Sequence, residues 1–124
     1  MEILRLDHLV LTVESVDRTT AFYADVLGMR VVRNGDRTAL HFGDQKINLH
    51  QADHTFDPKA VAPTPGSGDL CLVSAGSIDA VLADLTRAGV PVEVGPVRRD
   101  GALGEMTSVY VRDPDRNLVE IACY

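Results

Sequence analysis

The spacing of hydrophobic residues in the first half of the chain predicts a strand, a helix and three further strands. Both alternating faces of Leu6–Val13 are largely apolar, as in a buried strand. After Ser15, a residue typical of helix N-caps, apolar side chains recur at helical spacing up to Gly28, which favours a helix end. Three short apolar runs separated by Asn-Gly and Gly-Asp turns then predict strands at Met29–Arg33, Thr38–Phe42 and Lys46–Gln51.

The second half of the chain repeats this order. Residues 53–68 are rich in proline and glycine and predict a connecting loop. Beyond the loop, the pattern predicts a strand at Asp69–Ser74 and a helix over Ser77–Ala88 that ends at Gly89. The last three predicted strands are Val90–Val94, Thr107–Val111 and Asn117–Cys123, with a turn at 113–116. Each half therefore follows the order β, α, β, β, β.

Constant sequence offsets relate the two halves. Leu9–Leu11 matches Leu70–Leu72, and Gly28 matches Gly89, both at an offset of 61 (70 − 9 and 89 − 28). The period is too long and the copies are too few for a solenoid. The predicted fold class is therefore α+β, with two βαβββ modules at about residues 5–52 and 68–124 forming a single domain around paired, curved sheets.

The repeat also aligns residues that can bind a metal. His8 corresponds to Asp69 at the offset of 61, and Asn48 corresponds to Glu120 at an offset of 72. His50 lies two residues after Asn48, so its side chain leaves the same face of the strand. Nitrogen and carboxylate donors of this kind suit Zn, Ni, Mn or Fe(II). The sequence predicts a divalent metal site without selecting the metal.

Each candidate ligand also has a structural alternative. A lone histidine in an apolar strand, such as His8, is often a hydrogen-bonded core residue. Glu120 stands among strand hydrophobics, where a carboxylate is costly to bury unless it is paired or metal-bound, although an edge strand would remove that cost. His41 and His54 have no counterpart in the repeat and are expected at the surface or in loops.

Charge and composition exclude several classes of function. The net charge of −6 argues against nucleic acid as a partner. No apolar stretch is long enough for a membrane helix and no secretion signal is visible at the N-terminus, so a cytoplasmic protein without membrane contact is expected. Cys71 and Cys123 lie in apolar runs and are expected as buried free thiols. The basic pair Arg98-Arg99 is expected in a solvated loop or in contact with an anionic substrate.

Three segments resemble the vicinal oxygen chelate superfamily, which includes glyoxalase I, extradiol dioxygenases, fosfomycin-resistance thiol transferases and bleomycin-resistance proteins. They are Asp7–Val13, Ala21–Met29 and Val111–Glu120, with the strings Phe-Tyr-x-x-Val-Leu-Gly and Asp-Pro-Asp-x-Asn-x-x-Glu. The resemblance covers essentially the whole chain. Gln45–His50 and Pro63–Cys71 are most similar to small glyoxalase domain-containing and virulence-associated glyoxalase-like members.

The resemblance implies a metal on the open face of a cupped mixed sheet, with a small metabolite bound to it through adjacent oxygens, in lyase, isomerase or dioxygenase chemistry. His8 and Glu120 match the ligands of the family's first and last strands. Asn48 stands where bacterial glyoxalase I has glutamate, and Asp69 stands where most members have histidine. His50 or Asp69 would then complete the metal site or act as the base.

The resemblance has two further implications. Ser108 and Tyr110 have the spacing of the serine and tyrosine on the seventh strand of the thiol transferases, so Tyr110 is a candidate to bind or polarise the substrate, or alternatively packs against the sheet. Members of this size are usually homodimers. The competing interpretation is a metal-free protein that binds a small molecule, as bleomycin-resistance members do.

Overall fold

The computed structural model describes all 124 residues and contains two four-stranded mixed sheets. The chain divides into two compact units, Met1–Gly66 and Ser67–Tyr124. The elements of the first unit are β1 (His8–Val13), α1 (Val16–Ala21), a π-helical segment (Phe22–Val26), β2 (Arg30–Asn34), β3 (Arg37–Phe42) and β4 (Gln45–Gln51). Those of the second are β5 (Asp69–Val73), α2 (Ile78–Arg87), β6 (Val94–Gly101), β7 (Gly104–Arg112) and β8 (Leu118–Cys123). The predicted fold class, α+β with two βαβββ modules, is confirmed.

Each sheet pairs its first strand with its last strand in parallel. The strand orders are β1-β4-β3-β2 and β5-β8-β7-β6. Val10 aligns with Asn48 in the first sheet, and Cys71 aligns with Glu120 in the second. These two pairs are equivalent at the sequence offsets of 61 (71 − 10) and 72 (120 − 48). The strand registers therefore agree with the internal repeat.

One face of each sheet forms a core with the helix of the same unit. In the first unit, Tyr23 from the π-helical segment and Leu40 and Ile47 from the sheet are fully buried. In the second, Leu85 of α2 and Val109 of β7 are buried in the same way. Removing such side chains from water is the main stabilising contribution to a fold of this size. The opposite face of each sheet is called the helix-free face below.

Both helices begin and end as their sequences predict. The hydroxyl of Ser15 accepts a hydrogen bond from the backbone N–H of Arg18, and the hydroxyl of Ser77 accepts one from Ala80, each at 3.2 Å. Gly28 and Gly89 follow the helices with φ angles of 72° and 68°, a conformation that glycine adopts without strain. The longer helix, α2, has 10 residues, and neither helix could span a membrane.

Strand β6 differs from its prediction. A strand was expected at Val90–Val94, but β6 runs from Val94 to Gly101 and forms a hairpin with β7. The pair Arg98-Arg99 therefore lies in a strand, and the expected loop location is wrong. Because β6 is an edge strand and largely exposed on both faces, it lacks the apolar alternation by which strands are recognised.

Candidate functional site

The helix-free face of the first sheet carries histidines and cations. Paired residues in neighbouring strands point to the same side of a sheet, so the registers define this face. It is formed by Arg30, Val32, Asn34, Arg37, Ala39, His41, Lys46, Asn48, His50, His8, Val10 and Thr12. None of these residues is an aspartate or glutamate, although the chain as a whole carries a net charge of −6. The face is therefore locally basic in an acidic protein.

His8 is held by its neighbour in the geometry of a metal-binding histidine. Its Nδ1 donates a hydrogen bond to Oδ1 of Asp7 at 2.8 Å, and this bond is the main reason that the pKa of Asp7 is lowered. With the proton on Nδ1, the lone pair is on Nε2, which can bind a metal. The side chain is 43% exposed, so the core alternative for His8 is wrong. Sequence reasoning missed Asp7, whose only signal was its position next to His8.

His50 lies on the same face but away from His8. His8 is level with Lys46, whereas His50 is level with Thr12, four residues further along the strands, a separation of about 13 Å. His50 is only 7% exposed, its Nδ1 has no hydrogen-bond partner, and its ring packs edge-to-face against Phe56. The structure does not bring the two predicted histidines together.

The electrostatic surroundings of His50 are positive. Burial lowers the pKa of its imidazole, and the charges of Arg37 and Lys59 lower it further. The ring is therefore held in its neutral form. His41, expected at the surface or in a loop, lies in β3 and is half-buried on this same face, whereas His54 is exposed and paired with Asp36.

Glu120 lies in the middle of the helix-free face of the second sheet. Strand β8 is between β5 and β7, so the edge-strand alternative for Glu120 is wrong. Cys71 is its register partner on one side and Tyr110 on the other. Glu120 Oε1 is buried and has no hydrogen-bond partner. A buried carboxylate oxygen without a partner is costly, so this atom is available to a cation.

Cys71 is in contact with the carboxylate of Glu120. Partial burial of the thiol in an otherwise exposed residue, followed by the charge of Glu120 and the hydrogen bond that the thiol donates to it, raises the pKa of Cys71 to about 11. The thiol is therefore protonated at neutral pH. Cys71 is exposed and Cys123 is buried, so the expectation of burial is wrong for Cys71. Its strand is at the edge of the sheet, where an apolar run does not require burial on both faces.

Tyr110 is oriented by an arginine. Arg99 Nε donates to the phenolic oxygen at 3.0 Å, and the guanidinium carbon lies 5.4 Å from the centre of the ring. Because that oxygen is the acceptor, the phenolic proton remains available to a ligand. Sequence reasoning named Arg99 as a candidate contact to an anionic substrate but missed its hydrogen bond to Tyr110, because β6 was not predicted at this position.

Asp69 shares the helix-free face with Glu120 but lies nearer its end. It is level with Leu118, two residues before Glu120, and it is exposed. Its charge also acts on Arg112, whose pKa is raised mainly by the hydrogen bonds to Glu93 at 2.7 and 3.1 Å. In neither unit do three His, Cys, Asp or Glu side chains form a group that could hold a metal ion.

Two proteins are similar in sequence to this chain over nearly its whole length. Virulence protein STM3117 of Salmonella typhimurium is 51% identical over 121 residues, which cover 97% of this chain and 84% of that protein. Its crystal structure superimposes with a TM-score of 0.98 over 100% of this chain and 99% of the other. Glyoxalase domain-containing protein RDO1 of Mycosarcoma maydis is 52% identical over 96% of this chain and 68% of its own length.

The fold extends to more distant proteins. Lactoylglutathione lyase from Agrobacterium tumefaciens shares it at 24% identity, with a TM-score of 0.75 over 98% of this chain and 95% of that one. Residues 5–121 match the family described as the glyoxalase/bleomycin resistance protein/dioxygenase superfamily. Since that match spans nearly all of both units, the chain belongs to the glyoxalase/bleomycin resistance protein/dioxygenase superfamily.

Proposed function

We propose that the protein is a glyoxalase-like metalloenzyme that acts on a small metabolite bound to a divalent metal through adjacent oxygens. The observation that carries the proposal is the buried, unpartnered Oε1 of Glu120. His8 supports it, because its hydrogen bond to Asp7 leaves Nε2 free to accept a metal. We assign His8 and Glu120 as metal ligands, with Zn, Ni, Mn or Fe as the candidate metals.

The side chains around Glu120 suggest how a substrate is held. The metal would supply Lewis-acid polarisation of the substrate oxygens. Arg99 fixes the hydroxyl of Tyr110, which is placed to donate its proton to a substrate oxygen. Cys71 stays a neutral thiol beside the carboxylate of Glu120. We therefore assign substrate binding and polarisation to Tyr110.

Metal content tests this proposal. Protein purified without chelator should carry about one divalent ion per chain, measured by mass spectrometry of the elements. Glu120→Gln and His8→Gln should each weaken metal binding at least about tenfold, and Asp7→Asn should weaken it about tenfold by releasing the imidazole. Glu105→Gln, which removes the same charge from the same sheet, is the matched control. Failure to bind any of the four metals on titration, or wild-type affinity in Glu120→Gln, would contradict the proposal.

A homodimer is part of the same proposal. Strands β1 and β2 are the edges of the first sheet and β5 and β6 those of the second, and unpaired strand edges favour association with a second copy. Light scattering should give about twice the chain mass of 13.4 kDa at micromolar concentration. A monomeric mass would contradict it.

A metal-free binding protein is the second candidate function. It is favoured by Asn48, a neutral amide on the helix-free face where glyoxalase I has a carboxylate, and by the lack of a three-ligand group within either unit. Bleomycin is the appropriate probe, because bleomycin resistance proteins are named in the description of the family. Saturable bleomycin binding that a chelator does not change, together with absence of metal, would favour this function over the enzyme.

A further inference from the structure

Arg37 is a permanent cation without a counter-ion. It is exposed at the start of β3, and its side chain makes no hydrogen bond or ion pair. Its guanidinium carbon lies 4.3 Å from the centre of the Phe56 ring. Stacking on an aromatic ring fixes the plane of the guanidinium and leaves its N–H groups at the edge free to donate. Arg37 is therefore a pre-oriented donor.

His50 is the second polar side chain, after Arg37, that contacts the Phe56 ring. Thr38 pairs with Leu49, so Arg37 and His50 come next in the antiparallel register and lie on the same face. The two side chains share the Phe56 ring, whose centre is 5.2 Å from that of His50. His50 is 93% buried (7% exposed) and its Nδ1 has no hydrogen-bond partner. A buried nitrogen without a partner next to an unpaired guanidinium is the arrangement of an anion site.

The nearby carboxylates already have partners. Asp36 pairs with His54 at 3.2 Å, and Asp57 pairs with Lys59 at 3.3 Å. No carboxylate projects from the helix-free face of this sheet. The surroundings of Arg37 thus supply positive potential and no internal anion, which favours an anion from outside the chain.

We propose that Arg37 and His50, with Phe56 as the aromatic platform, bind an oxyanion group of the substrate, a carboxylate or a phosphate. The guanidinium donates to two oxygens of such a group, and the imidazole donates a third hydrogen bond. This inference rests on the proposed function only in assigning the anion to the substrate. It removes His50 from the metal ligands and makes it a specificity residue for negatively charged metabolites.

The test measures anion binding to the full chain after metal removal, so that its result does not depend on the metal. Sodium succinate and inorganic phosphate are titrated by calorimetry at constant ionic strength. One of them should bind saturably, and Arg37→Gln should weaken that binding about tenfold or more. Arg37→Lys keeps the charge but loses the planar pair of donors, so its anion affinity should lie between those of the wild type and Arg37→Gln. Arg30→Gln is the matched control, because Arg30 lies on the same face opposite His41, at the other end of β3.

The outcomes separate the possible sources of the anion. Tighter binding of succinate assigns a carboxylate, and tighter binding of phosphate assigns a phosphate. Saturation by neither anion, or an equal loss in Arg30→Gln, overturns the site, since the second result would reflect only the general charge of the face. His50→Phe keeps an aromatic ring against Phe56 but removes the imidazole donor. Wild-type anion affinity in this variant would overturn the proposal that His50 binds the anion. Failure of the metal experiments leaves these results unchanged, so the two proposals fail independently.

Discussion

The contact between Cys71 and Glu120 makes a quantitative prediction for the variant Glu120→Gln. In metal-free protein the pKa of Cys71 is about 11, compared with an ordinary value of 9.0. Burial is the largest of the three causes, followed by the charge of Glu120 and the hydrogen bond to its carboxylate. The substitution removes the charge and weakens the hydrogen bond but leaves the burial. The pKa of Cys71 should therefore fall without returning fully to 9.0.

The size of the fall can be bounded. Because burial is the largest of three causes of a rise of about 2 pH units (11 − 9.0), Glu120 accounts for at most about two-thirds of it, or about 1.3 units. At pH 8 about one Cys71 thiol in a thousand is ionised in the wild type. The variant should contain more thiolate, by a factor of at most about twenty.

Alkylation by iodoacetamide measures this change. The substitution is made in a Cys123→Ala background, so that Cys71 is the only thiol, and the rate is followed by mass spectrometry from pH 7 to 11. At pH 8 the alkylation rate should rise by a factor of at most about twenty in Glu120→Gln and stay unchanged in Glu105→Gln, with thermal unfolding as the check on folding. An unchanged rate in Glu120→Gln, or an equal rise in both variants, would refute the contact and its electrostatic interpretation.

Three further predictions concern stability. Folding lowers the pKa of His50 below its unfolded value near 6.5, so the contribution of the neutral ring to stability is complete above that pH and is lost as the pH falls through the folded pKa. The free energy of unfolding of His50→Phe in urea should therefore depend less on pH below 6.5 than that of the wild type. An unchanged dependence would contradict this. Asn117→Ala should lose about 2–4 kcal/mol in urea unfolding, because it removes two side-chain hydrogen bonds from a residue that is 1% exposed; a loss below about 1 kcal/mol would refute that estimate. Gly95→Ala should be destabilised by about 2 kcal/mol or more, since φ is 109° and the new Cβ would lie 2.5 Å from a backbone carbonyl oxygen. Gly43→Ala should lose less stability, because φ is 51° and no atom lies near the new Cβ. Thermal unfolding compares the two variants, and equal losses would contradict the steric argument.

Local patterns predicted those elements whose signals lie within a few residues. Ser15 and Ser77 cap helices because a side-chain oxygen reaches an N–H three residues later. Strand β8 was recognisable because its alternate apolar residues Val119 and Ile121 are buried on the face that packs against α2. Strand β6 was missed because an exposed edge strand places no constraint on its side chains. The hydrogen bond from Arg99 to Tyr110 was missed with it.

The sequence by itself determined which side chains share a face, because alternation along a strand has a fixed period of two. It therefore placed Asn48 with His50, and the repeat placed His8 and Glu120 at first-strand and last-strand positions. Only the tertiary structure decided how far apart such residues lie across strands, since the register between β1 and β4 depends on packing between segments distant in the chain. That register separates His50 from His8, and pairing within the second sheet sets Glu120 between Cys71 and Tyr110.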